Sequence, residues 1–249
     1  MRKIAIITGA SRGIGAATAE LAAKSGYDIC LNYLSNDARA AEVVATCEGH
    51  GARAIAVRGD VAVEADVEAL FEACDAELGA VDLLVNNAGI IGQASRVDGL
   101  PAEVLHQTFA VNVFGTLYCA RQAALRMSSK YGGKGGAIVN LSSIAATIGS
   151  AGEYVHYAAS KGAVDSFTIG MSREVGREGI RVNSVQAGTA DTEVHTIGGG
   201  NPDRPAMVAA TSALGRVATA HEIAEAIMWL GSDKASYATG TILRVGGGL

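Results

Sequence analysis

Tyr157 and Lys161 stand four residues apart in the run YAASK. On a helix that spacing puts both side chains on one face, within reach of each other. A phenol beside an ammonium is a proton donor under electrostatic control. A free tyrosine, with a pKa of about 10, exchanges protons poorly at neutral pH. At about 4 Å and an effective dielectric of about 20, ammonium and phenolate attract by roughly 4 kcal/mol, which lowers the phenol by about three pKa units at most. Upstream lie Ser142-Ser143, the run NNAG from Asn86 to Gly89 and the run TGASRGIG from Thr8 to Gly15. Gly9, Gly13 and Gly15 fall between a strand-like run and a helical one. There, backbone amides at a helix N-terminus approach a pyrophosphate without obstruction by Cβ atoms, which reads as a nucleotide site.

The elements that must hold these residues are legible as alternation. Strand-like runs occur at Ile4 to Thr8, Ile29 to Tyr33, Ala54 to Val57, Leu83 to Asn86, Ala137 to Leu141, Val182 to Val185 and Thr241 to Val245. Helical stretches such as Gly13 to Lys24, Ala38 to Glu48, Glu64 to Leu78 and Tyr154 to Gly176 separate them. Seven strands alternating with helices predict an α/β fold, a doubly wound, Rossmann-like parallel sheet with helices on both faces. No composition shift or repeat divides the 249 residues, so residues 1–249 are expected to form one domain. The broken stretch Asp191 to Pro205, with Gly198-Gly199-Gly200 and Pro202, follows the sixth strand at the carboxyl edge of the sheet; residues 191–213 are expected to act as a substrate lid.

Composition narrows the partners. A net charge of -5, with no Lys/Arg run longer than two, points away from nucleic acid. Apolar segments are too short to cross a membrane, and Ile4 to Thr8 reads as a buried strand, not a signal peptide; the default address is the cytoplasm. Cys30, Cys47, Cys74 and Cys119 have no metal-ligand spacing and read as ordinary thiols in a reducing compartment.

Taken together, TGASRGIG, NNAG, Asn112, the set Ser143, Tyr157 and Lys161, and the terminal Gly246-Gly247 resemble the short-chain dehydrogenase/reductase family, over essentially the whole chain. The resemblance is to the simple oxidoreductases, including bacterial glucose-dehydrogenase-like members. It implies that Tyr157 is the general acid/base, exchanging a proton with a carbonyl or alcohol oxygen while nicotinamide exchanges hydride with carbon. It implies that Lys161 also holds the nicotinamide ribose and that Ser143 stabilises the developing alkoxide. Ser142 would then face the other way, as strand neighbours do. Asn112 would hold a water that links Lys161 to solvent; the plainer alternative is an amide satisfying local backbone.

For the cofactor, the resemblance assigns the turn residues Gly9, Ser11, Arg12, Gly13, Ile14 and Gly15, then Asn32 and Tyr33 at the end of the second strand. It assigns Asp60-Val61 to the adenine and Asn87, Ala88 and Gly89 to the wall beside the ribose. Gly188, Ala190 and Thr192 follow the sixth strand. NAD-preferring relatives carry an acid at the end of the second strand; here the run is CLNYLS, with no carboxylate before Asp37. Together with Arg12 as a phosphate partner, this favours NADP. One departure stands out: Ala187-Gly188 and Ala190 replace the usual Pro-Gly and branched residue, which is expected to loosen the nicotinamide end.

The leading expectation is an NADP-dependent ketone or aldehyde reductase, or alcohol dehydrogenase, assembled as a homodimer or homotetramer. The alternatives are NAD-linked sugar or polyol oxidation and a non-catalytic dinucleotide-binding regulator. Tyr154 is expected to form a pocket wall and His156 to lie at the surface or an interface. Asp191, Glu193 and His195 can be drawn as a metal cluster, but an irregular loop is a poor scaffold for one, and no metal is expected.

Overall fold

Strands buried on both faces need near-continuous apolar runs, and the strands of this sheet have them. The computed structural model describes residues 2–193 and 203–249. Its strands are β1 (Lys3–Ile7), β2 (Tyr27–Tyr33), β3 (Ala54–Arg58), β4 (Leu83–Asn86), β5 (Gly136–Ser143), β6 (Ile180–Ala187) and β7 (Ile242–Val245). They pair in parallel in the order β3-β2-β1-β4-β5-β6-β7. The order reverses between β1 and β4, and an open crevice at the carboxyl ends of these strands follows from that reversal.

The helices are α1 (Gly13–Lys24), α2 (Asp37–Gly49), α3 (Glu64–Glu77), α4 (Ala102–Phe109), α5 (Gly115–Met127), α6 (Ala145–Ile148), α7 (Val155–Val175), α8 (Arg204–Thr211) and α9 (Ala220–Gly231). Alternation along each strand divides the core in two. Ala5, Ile7, Ile29, Leu31 and Val85 pack with α1, α2 and α9 on one face; Ile4, Ile6, Cys30, Leu84 and Ile138 pack with α3, α5 and α7 on the other. All four cysteines are buried free thiols, and burial pushes Cys47 up to about 11 and Cys119 up to about 12.

Strand ends depart from the sequence reading where pairing extends them. β5 and β6 run on to Ser143 and Ala187 because the two pair over their full lengths, from Gly136 opposite Ile180 to Ser143 opposite Ala187. Of the stretch expected to be irregular, residues 194–202, including His195, the three glycines and Pro202, lie outside the described residues. Arg204 and Pro205 instead open α8, where a first-turn proline forfeits no intrahelical hydrogen bond. No described helix is long and apolar enough to cross a membrane.

Candidate active site

The crevice is built by two motifs that lock together. The Thr8 hydroxyl accepts hydrogen bonds from the amides of Asn87 and Ala88, both at 3.0 Å. The Asn87 side chain donates to the carbonyls of Thr8 and Gly9 at 2.8 and 3.1 Å. Close approach explains two of the three glycines differently from the expectation of cofactor clearance. A Cβ on Gly9 would lie 2.8 Å from Ala88 Cα, and one on Gly15 would lie 2.5 Å from Asn87 Nδ2. Packing against Asn87-Ala88 by itself already requires these glycines. Gly13, with φ +56°, is the one that faces Thr192 across the crevice, 3.4 Å from where its Cβ would be. Arg12 precedes α1 in an extended conformation without a side-chain cap, so the first-turn amides of α1 have no side-chain acceptor there. An uncapped helix start beside a glycine turn at the switch point fits the pyrophosphate of a dinucleotide.

At the adenosine end, the expected residues divide. The Asn32 amide is spent on the protein: its oxygen accepts from Gly9 N at 3.3 Å and its nitrogen donates to Gly59 O at 2.9 Å. Asn32 therefore shapes the glycine turn and offers no side-chain group to a ligand, because burial at 3% exposure demands internal partners. Tyr33 is half-buried, and desolvation together with the neighbouring Asp37 raises its pKa. Asp60, also half-buried, accepts from Ala62 N at 2.9 Å, and Val61 is buried where a Cβ on Gly115 would meet it. Arg39 went unnoticed in the sequence. Placed in the first turn of α2 by the Asn36 cap, it pairs with Glu193, whose second oxygen lies 4.0 Å from Arg12. A basic residue shortly after β2 was the available signal.

At the other end, Ser143 closes β5, accepts from Ala145 N at 3.1 Å and stands close enough to the Tyr157 hydroxyl to pull its pKa down. Ser142 points the opposite way, donating to Lys161 O at 3.3 Å, as strand alternation dictates. Lys161 is buried; its Nζ donates to Leu141 O at 2.7 Å and lies 5.8 Å from the centroid of the Tyr157 ring. Burial lowers its pKa from 10.5 to about 8. The phenol of Tyr157 moves the other way. Burial raises it, against the nearby Ser143 hydroxyl and the charge of Arg204, which pull it down. The expected lowering by Lys161 is not among the influences on the phenol, and desolvation of the phenolate dominates.

Asn112 sits in a π-helical turn, Ala110–Phe114, a kind of irregularity that often marks functional positions. Its amide pairs with both backbone groups of Ile90, at 2.8 and 2.9 Å, and donates to Ser160 at 3.0 Å. These contacts match the backbone satisfaction of the plainer alternative, with Ser160 as an added side-chain partner. The Asn112 oxygen and Lys161 Nζ both lie close over Gly89, 3.2 and 3.4 Å from where a Cβ would stand.

The walls hold one correction and one addition. His156 is not at the surface: it is 3% exposed, with Nε2 3.1 Å from Ile91 O. Helix α7 leans that face onto the segment after β4, and burial lowers the imidazole pKa, favouring a neutral ring that donates from Nε2. Tyr154, buried at the start of α7, carries Arg204 over its ring at 5.2 Å, and Arg204 pairs with Glu153. Arg204 was not anticipated, because only the path of α8 brings it here. After β6, Gly188 N bonds Val245 O, Asp191 N bonds Ala218 O and Ala218 N bonds Thr189 O. Ala187 and Ala190 are buried, so this backbone is tied down through Asp191 despite the missing proline. Among the described residues no group of His, Cys, Asp and Glu could hold a metal, and His195 lies outside them.

Comparisons with known proteins agree with this geometry. Residues 9–249 match the family model described as Enoyl-(Acyl carrier protein) reductase. The chain is 46% identical over 245 residues to the uncharacterized oxidoreductase YgfF of Escherichia coli, covering 98% of this chain and 99% of that one. A solved Serratia marcescens short-chain dehydrogenase/reductase mutant superposes with a TM-score of 0.90 at 32% identity, over 99% and 97% of the two chains. The chain belongs to the short-chain dehydrogenase/reductase family. Within that family it is also 39% identical to an L-rhamnose 1-dehydrogenase (NAD(P)(+)) of a Sphingomonas species, over 99% of this chain and 96% of that one. As a family member it is an NAD(P)-dependent oxidoreductase, which removes the non-catalytic reading.

Proposed function

We propose that this short-chain dehydrogenase/reductase interconverts a ketone or aldehyde and its alcohol, preferring NADP, with Tyr157 as the general acid/base. The observation that carries the reading is the convergence at the carboxyl end of β5 of Ser143, the Tyr157 phenol and buried Lys161, whose Nζ lies 5.8 Å from the centroid of the Tyr157 ring. The nicotinamide supplies or accepts the hydride. Tyr157, protonated at neutral pH because burial raises its pKa, donates to the carbonyl oxygen in reduction. Ser143 hydrogen-bonds the same oxygen as charge develops. Lys161 keeps a positive charge beside the phenol and holds the ribose hydroxyls. Asn112 acts by position, fixing the backbone of Ile90 beside Lys161.

The NADP preference rests on the adenosine end, where two guanidiniums stand and no carboxylate closes β2. Charge-assisted hydrogen bonds are worth about 1.5–3 kcal/mol. Arg12→Ala should therefore raise the KM for NADPH about tenfold or more and leave that for NADH nearly unchanged; equal effects on both would overturn the assignment. A panel of ketones, diketones, quinones and sugars followed at the nicotinamide absorbance names the substrate. The relative named L-rhamnose 1-dehydrogenase keeps NAD(P)-linked sugar oxidation as the second reading, and sugars belong in the panel for that reason. The whole chain acts as one catalytic domain in a homodimer or homotetramer, with exposed Phe114 and Ile169 as apolar contact surface. Light scattering separates these states, and a monomer at working concentration would contradict both.

A further inference from the structure

Glu193 belongs to the segment that leaves β6, yet its carboxylate lies between two cations at the opposite end of the nucleotide crevice. Arg12, the residue before α1, places Nη1 4.0 Å from one carboxylate oxygen. Arg39, in the first turn of α2, pairs with the other. These guanidiniums come from the turns that follow β1 and β2, adjacent strands on one side of the switch point. Thr192, one residue earlier, lies against Gly13. The segment therefore spans from the end of β6 across the glycine turn to α2. All three charged side chains are between 42% and 47% exposed, so these pairs are screened by salt and open readily.

We propose that Glu193 sets cofactor specificity as an internal competitor for the ribose 2′-phosphate. The inference rests on the reading of Arg12 as the phosphate partner and extends it to Arg39 and to the carboxylate that now engages both. A phosphate monoester carries a charge of about -1.5 to -2 near neutral pH and three acceptor oxygens, so it satisfies two guanidiniums better than one carboxylate does. A dinucleotide with the phosphate must displace Glu193 and leave it as a like charge nearby. One without the phosphate leaves both pairs intact. The carboxylate thus taxes NADP and not NAD, which narrows the gap between the two cofactors. The exchange is of ion pairs alone, with no covalent step.

The test is calorimetric titration of the full-length wild type and Glu193→Gln with adenosine 2′,5′-bisphosphate, AMP, NADP+ and NAD+, at low and high salt. Gln keeps the shape of a half-exposed side chain, and thermal melts verify that the fold is intact. The variant is expected to bind the bisphosphate and NADP+ about five- to tenfold more tightly, from the loss of two surface ion pairs and one like-charge contact. AMP and NAD+ affinities should stay unchanged, and the gain should shrink at high salt. Equal gains for all four ligands, no gain for any, or weaker binding of the phosphate-bearing pair would overturn the competitor role; the last would mean that Glu193 instead orients the guanidiniums. Arg12→Ala in the same titrations tells the two failures apart. A wild type without phosphate preference, unaltered by Arg12→Ala, would remove the NADP reading itself. A preference that Arg12→Ala abolishes and Glu193→Gln leaves untouched would remove only the competitor.

Discussion

Tyr157→Phe should lower kcat by about 10²- to 10⁴-fold, the range for a lost general acid/base, while leaving the dissociation constant for NADPH unchanged. The substitution removes one oxygen and keeps the ring. Ser143 keeps the amide of Ala145 as its donor, so the end of β5 stays ordered. Single-turnover reduction together with fluorescence titration of NADPH separates chemistry from binding. A single-turnover rate within about tenfold of wild type would take Tyr157 out of the proton transfer. The raised pKa of the phenol adds a directional consequence. With its proton in place at neutral pH, the enzyme is poised for reduction. Alcohol oxidation needs the deprotonated form and should climb as the medium turns alkaline, a dependence that Tyr157→Phe should erase.

Lys161→Met should stabilise the fold while removing activity. The ammonium is buried at 4% exposure and its pKa falls from 10.5 to about 8. At 1.36 kcal/mol per pKa unit, keeping it charged costs about 3 kcal/mol of stability at pH 7. Part of this is offset by the hydrogen bond to Leu141 O, whose loss leaves a buried carbonyl short of a partner at a cost of about 1–3 kcal/mol. The net expectation is a variant about 1 to 2 kcal/mol more stable at pH 7, with kcat lowered by about 10²-fold or more. The pH dependence has a definite sign. Between about 8 and 10.5 the unfolded lysine binds a proton that the native one has released, so wild-type stability rises relative to the variant across that window. Below about 8 the difference is constant. Urea unfolding at pH 7 and pH 10 measures both points. A variant less stable at pH 7, with no relative change by pH 10, would mean that the ammonium is stabilised by its surroundings and costs the fold nothing.

These two substitutions act on positions that the sequence already marked, and the opposite pKa shifts of the two groups come from burial, which the sequence did not show. Reading YAASK as helical put Tyr157 and Lys161 on one face, and α7 confirms the face. The same reading made the lysine charge the main influence on the phenol, whereas desolvation dominates both groups. His156, adjacent to the tyrosine, illustrates the same gap. Helical spacing says which way a side chain points from its own axis, but not what packs there, and here the segment after β4 covers it.

What the sequence by itself determined follows backbone periodicity. The alternation of apolar runs and helical stretches was enough for a seven-stranded parallel sheet, because each crossover is long enough for a helix and right-handedness leaves few topologies. The period of two separated Ser143 from Ser142, and the period of 3.6 joined Tyr157 to Lys161. Tertiary structure alone decided how polar groups are used. Whether the amides of Asn32 and Asn112 face a ligand or their own backbone depends on which loops run past them. The meeting of Arg39 with Glu193, 154 positions apart, and of Arg204 with Tyr154 depends on the paths of segments beyond the strand ends. Local spacing cannot encode such contacts, since they are fixed by where loops and helices pack and not by any repeat along the chain.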